Sequence, residues 1–149
     1  MTATTIDSAL AQKATQRTSD TQNTLSAIGD LGGRVGLAAI FLLAGVNKVQ
    51  YYDANAQYLA SGGLPEFLLP LVIVFEIVGA LALIVGYQTR LVALAFAGFT
   101  LLTAALYHNN LADQMQFFMF FKNVAIAGGF LILAANGAGR FSIDARKQH

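Results

Sequence analysis

Residues 65–90 read PEFLLPLVIVFEIVGALALIVGYQTR. From Phe67 to Val85 the run is apolar except for one acid, Glu76. A helix needs about 20 apolar residues to cross a bilayer, and this stretch supplies them. A charge near mid-membrane costs roughly 2.5–3.5 kcal/mol on insertion scales and usually faces a bundle interior with a partner. The stretch therefore predicts a membrane-spanning helix, and it poses the question of which group answers Glu76.

The rest of the composition agrees. Of 149 residues, 56% are hydrophobic and only 11% charged, where soluble domains run near 25% charged. Lipid is the simpler solvent for so much apolar surface. The net charge of +1 and the lack of a basic patch give no sign of a nucleic-acid partner. Cysteine is absent, which removes dithiol exchange and thiolate metal sites from this chain's own chemistry. With His108 and His149 the only histidines, neither a bis-histidine haem nor a three-histidine metal site is expected.

Outward from the central stretch, three more spans follow. The expected domain covers residues 31–145, with crossings at about 31–50, 66–87, 90–108 and 117–136. The first is bracketed by Arg34 and Lys48, whose long stems can snorkel. Between spans one and two, QYYDANAQYLASGGL places Tyr51, Tyr58 and Leu59 on one helical face, which predicts a short interfacial helix. Residues 1–30 are rich in Thr, Ser, Ala and Gln and lack an apolar run, so they read as a largely disordered polar tail without a secretory signal. Residues 146–149 read as a second short tail. The fold class is thus all-α, an integral membrane four-helix bundle. Arg34, Arg90 and Arg140 fall at the same side after four crossings and serve as topology anchors; the positive-inside rule makes that side, and both termini, cytoplasmic.

Helix rise, ~1.5 Å per residue, sets the depth of each polar group. Lys48 lies fourteen residues beyond Arg34 and Glu76 fourteen before Arg90, each ~21 Å from that side. His108 lies eighteen beyond Arg90 and Lys122 eighteen before Arg140, both at ~27 Å, with Asn47 and Asn123 near these levels. Six polar residues of all four spans therefore share the outer half of the membrane. Small residues on the same faces (Gly45, Gly79, Gly86 and Gly129) allow helices to approach closely. The pattern predicts a polar pocket opening toward the periplasm. It also leaves a plainer reading open for each member. Lys48–Glu76 is then an ion pair that fixes helix register, His108 and Lys122 are helix-end groups at the interface, and the asparagines are interhelical hydrogen-bond donors. The aromatic run FFMFF (117–121) reads as a membrane-interface belt or as a stacking surface for a ring-shaped ligand.

These residues resemble the DoxX family, closest to its small inner-membrane, YqjF-like branch. The matching pieces are RVGLAAIFLLAGVNKV, GLPEFLLPLVIVFEIVGALALIVGYQTR, FTLLTAALYHNN and FFKNVAIAGGFLILAANGAGRFSID, covering about residues 31–145. Gly45 and Lys48, Glu76 and Gly79, Gly86, Thr89 and Arg90, His108, and Lys122 and Asn123 carry the shared elements. Gly137, Gly139, Ser142 and Asp144 match the family's closing segment. The resemblance implies four transmembrane helices in the bacterial inner membrane and a link to redox, quinone or thiol-stress physiology, in company with a soluble redox enzyme. It supplies no settled catalytic set. The leading expectation is an accessory subunit, not a stand-alone enzyme, with no intrinsic cofactor and a quinone-like or anionic molecule in the pocket. Its partners would be the bilayer, a redox enzyme and further copies of itself. A small-solute transporter and a purely structural assembly protein stand as alternatives.

Overall fold

The computed structural model describes residues 3–146, so Lys147 and His149 of the expected C-terminal tail lie outside it. It is built from six helices: α1 (Ala3–Gln50), α2 (Tyr52–Ser61), α3 (Leu69–Val85), α4 (Thr89–Tyr107), α5 (Gln114–Asn136) and the short α6 (Ile143–Arg146). No strand occurs among the described residues. Four of the helices are long and apolar enough to cross a membrane: α1, α3 with the 3₁₀ turn Glu66–Leu68 before it, α4 and α5. The molecule is an all-α membrane bundle.

Packing runs α1 against α3 and α4 against α5, with α3–α4 and α1–α5 contacts closing the ring. At its centre sits Phe96 of α4, which has no exposed surface. One ring from each other span reaches it: Phe41 of α1 at 4.4 Å, Phe75 of α3 at 4.8 Å and Phe130 of α5 at 5.3 Å between centroids. Around this aromatic knot the core is mostly alanine, including Ala38, Ala80, Ala93, Ala97 and Ala127. Small residues let backbones close up where lipid offers no hydrophobic drive between helices. Outside, large apolar side chains stand free: Leu43 is 69% exposed and Ile132 65%. On a soluble protein such a surface would be an association hazard; on a bilayer-spanning bundle it is the lipid face.

Sequence chemistry sets the element ends. Gly86 adopts φ 71° after α3, and its amide and that of Tyr87 return to carbonyls of the last turn, a glycine C-terminal cap. Asp113 accepts from the Gln116 amide and caps α5. Helix α2 folds across one end of the bundle, burying Ala56 and Leu59 against Leu69; this is the short helix that the tyrosine spacing predicted.

The N-terminal residues depart from expectation. Instead of a loose tail, residues 3–30 form the leading half of α1. Gly29, Gly32, Gly33 and Gly36 weaken the helix where its two halves join, but no proline breaks it and no glycine or proline occurs before Gly29, so once past that junction extension adds one bond per residue after the costly nucleus. Ser19, Thr21 and Thr24 hydroxyls bond back to carbonyls of the preceding turn. From residue 15 to residue 30 the side chains are exposed except that of Ala27.

Candidate functional site

At the α2 end of the bundle, Lys48 Nζ lies 2.9 Å from Glu76 Oε1. The two come from facing positions of α1 and α3, which approach closely at Gly45: a Cβ there would fall 2.6 Å from Ile77 Cγ1 and 3.3 Å from Glu76 Cβ. The glycine is what lets Lys48, one turn further on, swing its stem toward the carboxylate. Burial of the pair is unequal, 22% of the Lys48 side chain remaining exposed against 4% for Glu76. Glu76 Oε2 is buried and has no hydrogen-bond partner. A carboxylate oxygen left so in a low-dielectric site is costly.

The pair opens onto a cavity of about 140 Å³ between α1, α2, α3 and α4. Its other walls are mostly apolar or aromatic, with Leu69, Phe99, Tyr58 and Tyr107 among them, and Asn55 and Thr103 add two polar groups. Tyr58 and Tyr107 stack at 4.8 Å, and the Tyr107 hydroxyl donates to the Leu59 carbonyl at 3.0 Å, which pins α2 to the end of α4. Burial pushes the Tyr58 phenol above its ordinary value. A cavity near 150 Å³ accepts one benzene-sized ring. The site thus pairs a ring-sized slot with one ammonium and one carboxyl at its edge.

The remaining sequence-predicted residues are elsewhere. His108 ends α4 with Nδ1 2.9 Å from Gln116 Oε1. Lys122 is exposed on α5 and contacts the Met119 sulfur, and Asn47 is exposed on α1. Asn123 is half-buried on α5. None of these four lines the cavity. The tyrosines and Phe99 take the places expected of them; the signal for Tyr58 was its position on the amphipathic face of α2, while Tyr107 carried no signal beyond sitting beside His108. Gly79 packs under Phe96 and Gly129 against Leu37.

A second polar assembly occupies the opposite end. Arg34, expected to anchor the first span at the membrane surface, is 1% exposed. Its guanidinium donates to the Ala138 carbonyl and, at 2.6 Å, to the Phe141 carbonyl, tying the segment after α5 beneath the α3–α4 turn. From that segment Asp144 accepts the Gln88 and Thr89 amides at 2.9 and 2.8 Å and caps α4, while its own amide donates to the Gly86 carbonyl. Gly86 leaves room for this closure, since a Cβ there would run into Ser142 and Arg34. Arg90 and Arg140 are both exposed.

The DoxX family model matches residues 29–109. The inner membrane protein YqjF of Escherichia coli (strain K12) is 47% identical over 120 residues, which is 80% of this chain and 92% of the relative. The chain belongs to the DoxX family. The inner membrane protein YphA of the same organism is 37% identical over 120 residues, 76% of this DoxX chain and 86% of its own length. CatD of Bacillus subtilis (strain 168), named as a suspected oxidoreductase, is 34% identical over 70 residues, 47% of this chain and 52% of CatD. No solved structure matches significantly. The DoxX match takes in Arg34, Lys48, Glu76 and Arg90 and ends before the segment with Ala138, Phe141 and Asp144.

Proposed function

We propose that this DoxX protein is an inner-membrane accessory subunit in redox or quinone and thiol-stress physiology, and that it binds a small quinone-like or anionic molecule in the recess beside Lys48 and Glu76. The observation that carries this reading is the buried, unpartnered Glu76 Oε2 at the wall of a ring-sized cavity whose other carboxylate oxygen is held by Lys48. Lys48 would donate to a ring carbonyl or an anion; Glu76 would exchange a proton with it; the Tyr58–Tyr107 stack and Phe99 would face its flat surfaces. With no cysteine in the chain, electrons would come from the ligand or from a partner enzyme. The names of YqjF and YphA support the inner membrane, the name of CatD supports redox chemistry, and the basic residues at the α6 end support cytoplasmic termini with the recess facing the periplasm.

The test is thermal unfolding of the full chain in lipid nanodiscs with a short-chain benzoquinone, and separately with benzoate as a ring-bearing anion. A ligand at 100 times its Kd adds ~2.7 kcal/mol, a rise in Tm of about 5–10 °C for a chain of this size. Glu76→Gln and Lys48→Met should each abolish that rise. No rise with either probe, or an equal rise in both variants, rejects the recess as a binding site.

A further inference from the structure

The α6 end holds a larger cleft, about 690 Å³, between the α3–α4 turn and the segment after α5. We infer that it is a site for the phosphate of an anionic phospholipid, held by Arg90 and Arg140. Three independent features lead there. Both arginines line the cleft, and both are exposed. Arg90 lies flat against Gly137, where a Cβ would come 3.4 Å from its Nε, so its guanidinium is pre-positioned along the wall. Thr89, also in the wall, is fully buried, yet its hydroxyl has no hydrogen-bond partner. Asp144 shares the cleft, but both its carboxylate oxygens accept the α4 amides, so its charge is turned to the helix end. Arg34 is spent on the Ala138 and Phe141 carbonyls behind, leaving the two arginines as the charged donors of the cleft, with the Thr89 hydroxyl and the Gln88 and Asn136 amides beside them. A guanidinium suits phosphate because its fork donates two parallel hydrogen bonds to the oxygens. A lipid phosphate is favoured over a free one because Leu91 (64% exposed) and Phe141 (56% exposed) flank the arginines, offering acyl chains a surface at the depth of the headgroups. Basic pockets between spans of this kind recognise acidic headgroups.

Native mass spectrometry of the full chain, released from mixed micelles holding equal phosphatidylglycerol and phosphatidylcholine, tests this directly. Wild type should retain phosphatidylglycerol at least tenfold over phosphatidylcholine. Arg90→Gln and Arg140→Gln should each lower retention roughly fivefold, and Thr89→Val should lower it without altering the fold, judged by circular dichroism. Equal retention of the two lipids by wild type, which needs no variant to interpret, overturns the proposal. So does unchanged selectivity in the double arginine variant. Inorganic phosphate at millimolar concentration should not displace the lipid; if it does so completely, the cleft binds free phosphate and the lipid assignment is lost.

Discussion

At the scale of single residues, the unequal burial of Lys48 and Glu76 decides what each substitution does. A buried pair broken from one side costs about 3–5 kcal/mol because a charge is left without compensation. Lys48, with 22% of its side chain exposed, can turn its ammonium toward the interface when alone; Glu76, 4% exposed, has no such exit. Lys48→Met should therefore destabilise by about 3 kcal/mol and Glu76→Gln by clearly less. The double change Lys48→Met with Glu76→Leu should recover most of the loss, since buried pairs replaced by apolar groups of similar volume are often neutral. Unfolding in mixed detergent–denaturant micelles measures all three. Arg34 gives a different case. Its planar fork reaches two separate carbonyls, of Ala138 and Phe141, which a lysine, as a point charge, does not span. Arg34→Lys should cost about 1–3 kcal/mol and should speed tryptic cleavage after the exposed Arg140 by releasing its segment. An unchanged cleavage rate would mean that Arg34 does not hold that loop.

Residue depth was legible in the sequence and residue direction was not. Rise along a helix put Lys48 and Glu76 at one height, and they lie 2.9 Å apart. The same arithmetic put His108 and Lys122 level with each other, yet neither reaches the cavity. Height is one coordinate; the neighbour order of the bundle is another, and apolar faces all alike in lipid do not encode it. The burial of Arg34 escaped for a related reason, since the chain segment it holds lies more than a hundred residues away.

Among elements, glycine shows how a shared residue type takes opposite roles according to what faces it. Gly45 and Gly79 sit where helices nearly touch, a Cβ at Gly79 falling 2.8 Å from Phe96. Gly98 and Gly128 have nothing within 4 Å of a built Cβ. Alanine in a helix interior gains about 0.5–1 kcal/mol over glycine from backbone entropy alone. Gly128→Ala should therefore stabilise by roughly that amount. Gly45→Ala and Gly79→Ala should destabilise, because Ile77 and Phe96 must shift within a core whose aromatic knot is already interlocked. Thermal unfolding of the three variants in one detergent checks the sign. A stabilised Gly79→Ala would mean that Phe96 moves freely, against its central position. At this scale the sequence also carried the spans, the α2 cap and the small-residue seams, because apolar length and spacing encode them directly. The extension of α1 through residues 3–30 is hidden from composition, which weighs polarity and overlooks that no proline occurs there and no glycine before Gly29.

For the whole molecule, four crossings place both ends of the bundle's chain on one side, and the two polar assemblies on opposite sides. The recess with Lys48 and Glu76 lies with α2 and the α4–α5 loop; the Arg34 assembly lies with the α3–α4 turn and α6. The proposed function depends on which end meets which compartment, because a ligand in the recess would exchange protons with the side it faces. The chain contains no cysteine, so a single introduced thiol is a unique reporter. Gln57→Cys on α2 and Ala112→Cys in the α4–α5 loop, both at exposed positions, should react with a membrane-impermeant maleimide in intact spheroplasts. Ser19→Cys on α1 and Arg146→Cys on α6, also exposed, should react only after the membrane is opened. The reverse pattern would turn the recess to the cytoplasm and reject its proposed periplasmic opening. Labelling of Ser19→Cys and Arg146→Cys from different sides would mean that one of the four helices does not cross, and the bundle drawn around Phe96 would then not be the membrane-embedded form.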